Sequence, residues 1–394
     1  MLWSPFDPSH IANPYPMYQR LRNEAPVHRA QTGEYIITRY ADVRLILKSS
    51  DFRCGNRLEW LSRGIEYFRN HDEDLGNIYR AVNAFILFMN PPDHQIIRSF
   101  VSKTWDDREV EDIITSAVDS QLKKLSGEFD AVKDFAQPVP AMVISEIMGI
   151  PIEHFEHLRS LGIKMVRSLD LYHTWKDLVE LNDACGEFVK YFEEYIRRKP
   201  TKGLLGKLVA ANEREKILSE EQMISIAIFL FIAGEETTGN SIGTALYDLI
   251  GTGLHQQLRN NHTLFNTTGI EEFFRYDGPV HLLGRIAKND TAIGNIDIPA
   301  NSPITLVIAS ANRDPAQFAD PDTLNLSRTP NRHLAFGYGT HFCLGEWLGK
   351  MQARIAVERF IAKFDRAEIP KQNITWLKNI AVRGMTSLIV NTNA

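Results

Sequence analysis

Cysteine is scarce in this chain: three residues in 394, Cys54, Cys185 and Cys343, odd in number and far apart. That count excludes a disulfide framework and fits a reducing compartment, and the lack of any CxxC spacing removes the usual zinc site. Charge of one sign is missing too. Lys+Arg 44 against Asp+Glu 49 leaves a net charge of -5 with no basic block to neutralise phosphates, so no nucleic acid partner is expected. The longest nearly unbroken apolar run, residues 224–233, is about half of what spans a bilayer. No charged segment precedes an apolar one at the N-terminus, so neither export nor a membrane anchor is expected, and the chain reads as cytoplasmic. Repeats, low-complexity tracts and Gly/Ser linkers are absent as well. One body over residues 1–394 is the simplest organisation, with 44% hydrophobic residues to fill its core.

What is present is mostly helical periodicity. Extended character appears first in "EYIITRY", residues 34–40, followed by helix-like "ADVRLILKSS". From about Asp93 to Phe274 the pattern is helical; residues 284–310 then turn to short strands punctuated by Gly294, Pro299 and Pro303. A helix resumes over about 343–364, and "VRGMTSLIV" closes the chain as a strand or hairpin. The expected class is mainly α with a smaller β portion, at about 30–45, 284–310 and the C-terminus.

One helix is unusual. "SEEQ", residues 219–222, supplies a capping box, and the helical pattern runs on to about Gly251. Its flank "ISIAIFLFIA" is apolar almost all round, so it belongs in a core, yet its centre reads Ala233-Gly234-Glu235-Glu236-Thr237-Thr238-Gly239. Carboxylates there mean a solvent-facing patch, a kink made by Thr and Gly, or a helix opened beside a reaction site. Elsewhere, Glu272 and Arg275 stand three apart and can pair on one helix face. After Pro91-Pro92, His94 and Arg98 lie one turn apart and suit an anion such as a carboxylate.

The most informative stretch is "HLAFGYGTHFCLGEWLG", residues 333–349, with Cys343 between Gly337, Gly339 and Gly345. A buried lone cysteine is usually a small hydrophobe. Here the glycines permit unusual backbone angles and close approach, and a helix starts just afterwards, where amide groups and the helix dipole favour a thiolate. Such a sulfur is a metal ligand or a nucleophile, and His341 is the nearest base for the second role.

These residues carry a resemblance. "FGYGTHFCLG", residues 336–345, is similar at every fixed position to the haem-binding loop of cytochrome P450, Phe-Gly-x-Gly-x-His/Arg-x-Cys-x-Gly. The segment Ala233 to Thr237, the pair Glu272 and Arg275, and "SANRDPAQFADPD" at 310–322 follow in the family's order, and the likeness covers essentially the whole chain. Soluble bacterial members resemble it most.

The resemblance implies the P450 fold, with haem b between the long central helix and the cysteine-loop helix. Cys343 is then the axial thiolate and the metal ligand, whose electron donation favours O–O cleavage. Gly337 and Gly345 admit the porphyrin, and Phe336 shields the sulfur. The propionates fall to His94, Arg98, Arg285 and His333. Glu272 and Arg275 lock the scaffold; the family's third member of that network is an Arg where this chain has Thr323, leaving Arg328 as a candidate. Glu236 and Thr237 match the acid–alcohol pair that delivers protons during O2 reduction, whereas Glu235 receives no role. Substrate lining is implied for Phe85, Leu87, Phe229, Ile232, Ala233, Val280, His281, Leu282 and Val382, a mostly apolar set suited to a terpenoid, fatty acid, macrolide or peptide-derived molecule. Entry segments are expected at 55–90 and 162–180. A monomeric monooxygenase follows, using O2 and a hydrophobic substrate, with electrons from a separate ferredoxin or flavodoxin and its NAD(P)H-dependent reductase. Lys103, Lys350 and Arg354 offer a basic docking face for an acidic donor. A non-catalytic haem-thiolate sensor and a peroxide-dependent peroxygenase are the alternatives.

Overall fold

The computed structural model describes residues 3, 7–55, 75–105, 108–165 and 175–392. Residues 56–74 and 166–174, which hold part of both expected entry segments, lie outside the described residues. Helices dominate and the β portion is small. Two compact units form, one from Met1–Arg53, Ile114–Val139 and Thr237–Ala394, the other from Cys54–Ile113 and Pro140–Glu236. Each is assembled from non-contiguous segments, so no linker in the sequence divides them.

The first unit holds a five-stranded sheet: β1 (Val27–Arg29), β2 (Tyr35–Ile37), β3 (Phe52–Arg53), β4 (Leu282–Ala287) and β5 (Pro303–Val307), in the order β1-β2-β5-β4-β3. Only β2 and β5 run parallel, pairing Ile36 with Thr305. Tyr35, Ile36 and Ile37 are all buried, which is why "EYIITRY" clusters β-branched and aromatic residues instead of alternating them with polar ones. Ile37, Ile46, Leu306, Phe318 and Leu334 share one apolar cluster, packing the helix Tyr40–Lys48 and the loop ahead of the cysteine segment onto this sheet. In the β4–β5 ladder Leu282 lies opposite Val307 and Arg285 opposite Ile304.

At the C-terminus Trp376 bridges Met385 in antiparallel fashion, with the Leu377 N–H donating to the Gly384 carbonyl and the Thr386 N–H to the Thr375 carbonyl, each at 2.9 Å, so the chain folds back on itself there as a short hairpin-like turn. Beyond this turn Ile389–Asn391 forms a strand that pairs with Glu128–Asp130 from the distant middle of the chain. Asp130 fixes this choice, accepting from the Leu388 N–H at 3.0 Å and the Ser387 hydroxyl at 2.7 Å. A polar anchor so far away in sequence leaves no local trace. Val382 instead makes an isolated bridge with Val280.

The central helix spans Glu220–Gly251, about 48 Å. Its capping box is reciprocal: the Ser219 N–H donates to Gln222 Oε1 at 2.9 Å, and the Gln222 N–H to Ser219 Oγ at 3.1 Å. Such a cap contributes about 1 kcal/mol. The helical assignment continues without a break through Ala233–Gly239. The Ser241 hydroxyl donates back to the Thr237 carbonyl at 2.8 Å without interrupting it.

The helix Ile270–Asp277 carries the most demanding group of the fold. Glu272 is 0% exposed, and its carboxylate accepts from Arg275 Nε at 2.7 Å and from its other guanidinium nitrogen at 2.9 Å. Arg328 Nε, the Asn325 N–H and Asn331 Nδ2 complete its shell at 2.9–3.1 Å. Arg328 is thus the third charged member of the network, and Thr323 contributes only its main-chain carbonyl, 3.2 Å from Arg275. Replacing Arg328 by Met should lower unfolding free energy by about 2 kcal/mol, the worth of a hydrogen bond to a buried charge. Thr323→Ala should stay within about 0.5 kcal/mol. Denaturant titration measures both, and equal losses would refute the assignment.

Candidate active site

The cysteine loop is shaped by its glycines. Gly337 (φ +74) donates its N–H to the Leu334 carbonyl at 2.8 Å. Gly339 (φ +77) passes so close to the helix Tyr40–Lys48 that a Cβ there would lie 2.7 Å from the Leu47 carbonyl oxygen. Both conformations disfavour any side chain. The Cys343 N–H then donates to the Phe336 carbonyl at 2.9 Å, closing the loop, and the helix Glu346–Lys363 starts after Gly345. Cys343 is exposed, and a Cβ built on Gly345 would meet no atom within 4 Å. An accessible sulfur beside clear space fits haem b. Among the described residues no group of three His, Cys, Asp or Glu could hold an ion by itself.

Phe336 and Arg285 belong to the same unit as this loop. The Phe336 ring packs 4.6 Å from Phe274. Arg285, on β4, is 7% exposed and donates to the Gly284 carbonyl at 2.7 Å. Thr238 approaches Gly349, six residues past Cys343, with Oγ1 4.0 Å from where a Cβ would stand. The C-terminal half of the central helix therefore passes the cysteine-loop helix, as the family pattern implies.

His333 has partners other than the expected propionate. Its Nδ1 accepts from the Ala335 N–H at 3.2 Å, and its Nε2 lies 2.9 Å from Glu271 Oε2. Lys350, expected on a docking surface, instead puts Nζ 2.6 Å from Glu271 and also pairs with Glu346. Arg354 is likewise engaged, with Asn266 at 3.0 Å and Glu358 at 3.3 Å. Burial pushes the Glu271 carboxyl up, but the hydrogen bonds from His333 and Lys350 outweigh it and hold the group at about 2. Sequence reasoning missed Glu271 because its partners stand 62 and 79 residues away.

In the second unit, His94 is 1% exposed on the helix Asp93–Thr104, with Arg98 half-buried one turn on. The expected lining residues Phe85 and Phe229 meet at 5.1 Å between ring centroids, and Phe88 stacks on Phe85 at 6.2 Å. Leu87 is half-buried, Ile232 buried and Ala233 exposed. Of the acid–alcohol pair, Glu236 belongs to this unit and Thr237 to the first.

His281 departs from expectation. It is 2% exposed, with Nδ1 3.3 Å from the Tyr18 hydroxyl and Nε2 3.8 Å from the Asp277 carboxylate, and Arg383 Nε donates to that carboxylate at 3.0 Å. Burial holds the imidazole pKa below its usual value. The ring is thus part of a buried polar cluster with the N-terminal helix Tyr15–Glu24, where alternation along an extended chain turns it to the face opposite Val280.

Comparison with known proteins points to one family. The cytochrome P450 family model matches residues 253–382. The chain is 32% identical to the polyketide biosynthesis cytochrome P450 PksS of Bacillus subtilis, over 99% of this chain and 98% of the relative. It is 31% identical to the biotin biosynthesis cytochrome P450 of the same organism, over 90% and 89%. A crystal structure of P450BioI, in complex with an acyl carrier protein bearing hexadec-9Z-enoic acid, superposes with a TM-score of 0.88 at 27% identity, covering 98% of this chain and 100% of that one. A glycine-shaped thiol loop, a buried Glu272–Arg275 pair and similarity along the whole length place the chain in the cytochrome P450 family, as a haem b monooxygenase.

Proposed function

We propose that the protein inserts one oxygen atom of O2 into an apolar chain or ring system, a hydroxylation in natural-product, terpenoid or fatty-acid metabolism. The observation that carries the substrate class is the aromatic cluster of Phe85, Phe88 and Phe229. Aromatic rings in contact offer dispersion and no hydrogen-bond partner to a polar guest, so they select for apolar surface. Two similar proteins act in polyketide and biotin biosynthesis by their names, and P450BioI was crystallised with an acyl carrier protein bearing a long acyl chain. That record favours a flexible acyl or polyketide molecule over a compact polar one. Electrons come from a separate ferredoxin or flavodoxin and its NAD(P)H-dependent reductase.

When bound, haem b supplies the redox centre at which O2 is reductively activated. The chain's own part is binding, shielding and proton supply. The Cys343 thiolate is the iron ligand, placed at a helix start that favours its charge, and Phe336 keeps water from it. Arg285, His94 and Arg98 are the cations and donors for the propionates. His333 fixes the loop through Glu271, and reaches a propionate only by leaving that partner. Thr237 holds water where oxygen is reduced, and Glu236 relays protons to it. The family resemblance adds Val280, Leu282 and Val382 of the first unit, and Leu87, Ile232 and Ala233 of the second, as apolar substrate contacts. Retention of both an acid and an alcohol favours O2-driven chemistry over a peroxygenase, and over a sensor, which needs no proton relay.

Cys343→Ser should abolish the red-shifted Soret band of the reduced carbon monoxide adduct; its persistence would remove the thiolate from the site. Thr237→Ala should keep that band but lower product formed per NAD(P)H oxidised about tenfold, with peroxide appearing instead. Unchanged coupling, measured with a surrogate redox pair and a fatty-acid substrate, would speak against the proton relay.

A further inference from the structure

Glu235 is left over. It lies beside the acid–alcohol pair, yet successive residues on a helix point about 100° apart, and its side chain faces the helix Phe155–Met165 instead. It is 5% exposed. Arg159 of that helix puts Nε 4.0 Å from Glu235 Oε1, close enough for strong attraction and beyond hydrogen-bond length. Gly162, one turn on, makes the room: a Cβ there would stand 2.7 Å from Glu235 Oε2, and 3.7 Å from both the carboxyl carbon and the Phe231 ring. Two adjacent carboxyls on one helix repel each other and resist burial, so this pair costs stability unless it is used.

We infer that Glu235 is a proton-supplying residue that acts through Glu236, with Arg159 stabilising the carboxylate it leaves behind. This rests on the reading of Glu236 as the relay. The charged groups that face Glu235 are Glu236 on its own helix and Arg159 and Glu156 on the helix packed against it. Burial is the largest influence and repulsion by Glu236 the next, and against the attraction of Arg159 they raise the carboxyl to about 8. Glu235 therefore carries its proton at neutral pH. In the transfer, the Glu235 O–H bond breaks as an O–H bond forms on a Glu236 carboxylate oxygen, with water carrying the proton across and no electron moving. The negative charge left on Glu235 faces the Arg159 guanidinium, and solvent returns the proton. A geometry 4.0 Å apart suits this cycle: a tight Arg159 bond would hold Glu235 ionised permanently, and no arginine would leave its anion too costly.

The test compares haem-loaded wild type with Glu235→Gln, Arg159→Met and Glu236→Gln in two ways. Infrared difference spectra of wild type minus Glu235→Gln, recorded without turnover, should show a protonated carboxyl C=O band below pH 8 that disappears with a midpoint near 8. In Arg159→Met the midpoint should move up by about one pH unit, because the cation favouring ionisation is gone. Coupling of product to NAD(P)H should fall in wild type as pH rises through that midpoint, and in Glu235→Gln be about tenfold lower and flat across it. A Glu235→Gln profile that superimposes on wild type while Glu236→Gln loses coupling would overturn the inference and leave the relay standing. If Glu236→Gln also couples normally, both readings fall. Absence of the infrared band would overturn the inference whatever the turnover data show.

Discussion

A carboxylate with no exposure to water governs the architecture around the thiol. Glu272 survives burial only because two arginines, an asparagine side chain and a main-chain N–H meet it at 2.7–3.1 Å. Desolvating a carboxylate costs several kcal/mol, and removing either guanidinium leaves part of that cost uncompensated. Two of its donors, Arg328 and Asn331, come from the stretch that leads directly into His333 and the cysteine loop. The same ion pair that anchors the helix Ile270–Asp277 therefore fixes where the loop begins. From there the loop needs only short-range bonds, Gly337 to Leu334 and Cys343 to Phe336, to set the sulfur's position.

Glu271 extends this arrangement toward the metal ligand. Its neighbour Glu272 faces the buried arginines, while Glu271 gathers His333 and Lys350, so one turn of helix binds the chain on both sides of Cys343. Lys350 is consequently spent within the protein: its ammonium lies 5.2 Å from the Phe336 ring centroid and its charge is balanced by Glu271 and Glu346.

Acid groups on the central helix show the complementary use of burial. Glu272 is desolvated and fully satisfied, which makes it rigid. Glu235 is desolvated and only loosely paired, which leaves it able to take and lose a proton near neutral pH. Identical side chains, differing in how many donors reach them, serve structure in one place and chemistry in the other.

Much of this was legible in the chain itself. The loop "FGYGTHFCLG" carries its geometry locally, since positive φ at Gly337 and Gly339 is a property of those residues. The capping box at Ser219 and the all-round apolar flank after it likewise fix the start and burial of the central helix through interactions within four residues. Tertiary structure alone decided the rest. Whether His333, Lys350 and His281 faced a ligand, solvent or one another depended on Glu271 and Asp277, and on tyrosines more than 260 residues away. The pairing of Ile389–Asn391 with Glu128–Asp130 depended on a distant aspartate in the same way. Local sequence dictates backbone angles and periodicity because those are short-range energies; the partner of a charged or aromatic tip is set by which distant segment arrives beside it, and no spacing in the chain encodes that arrival.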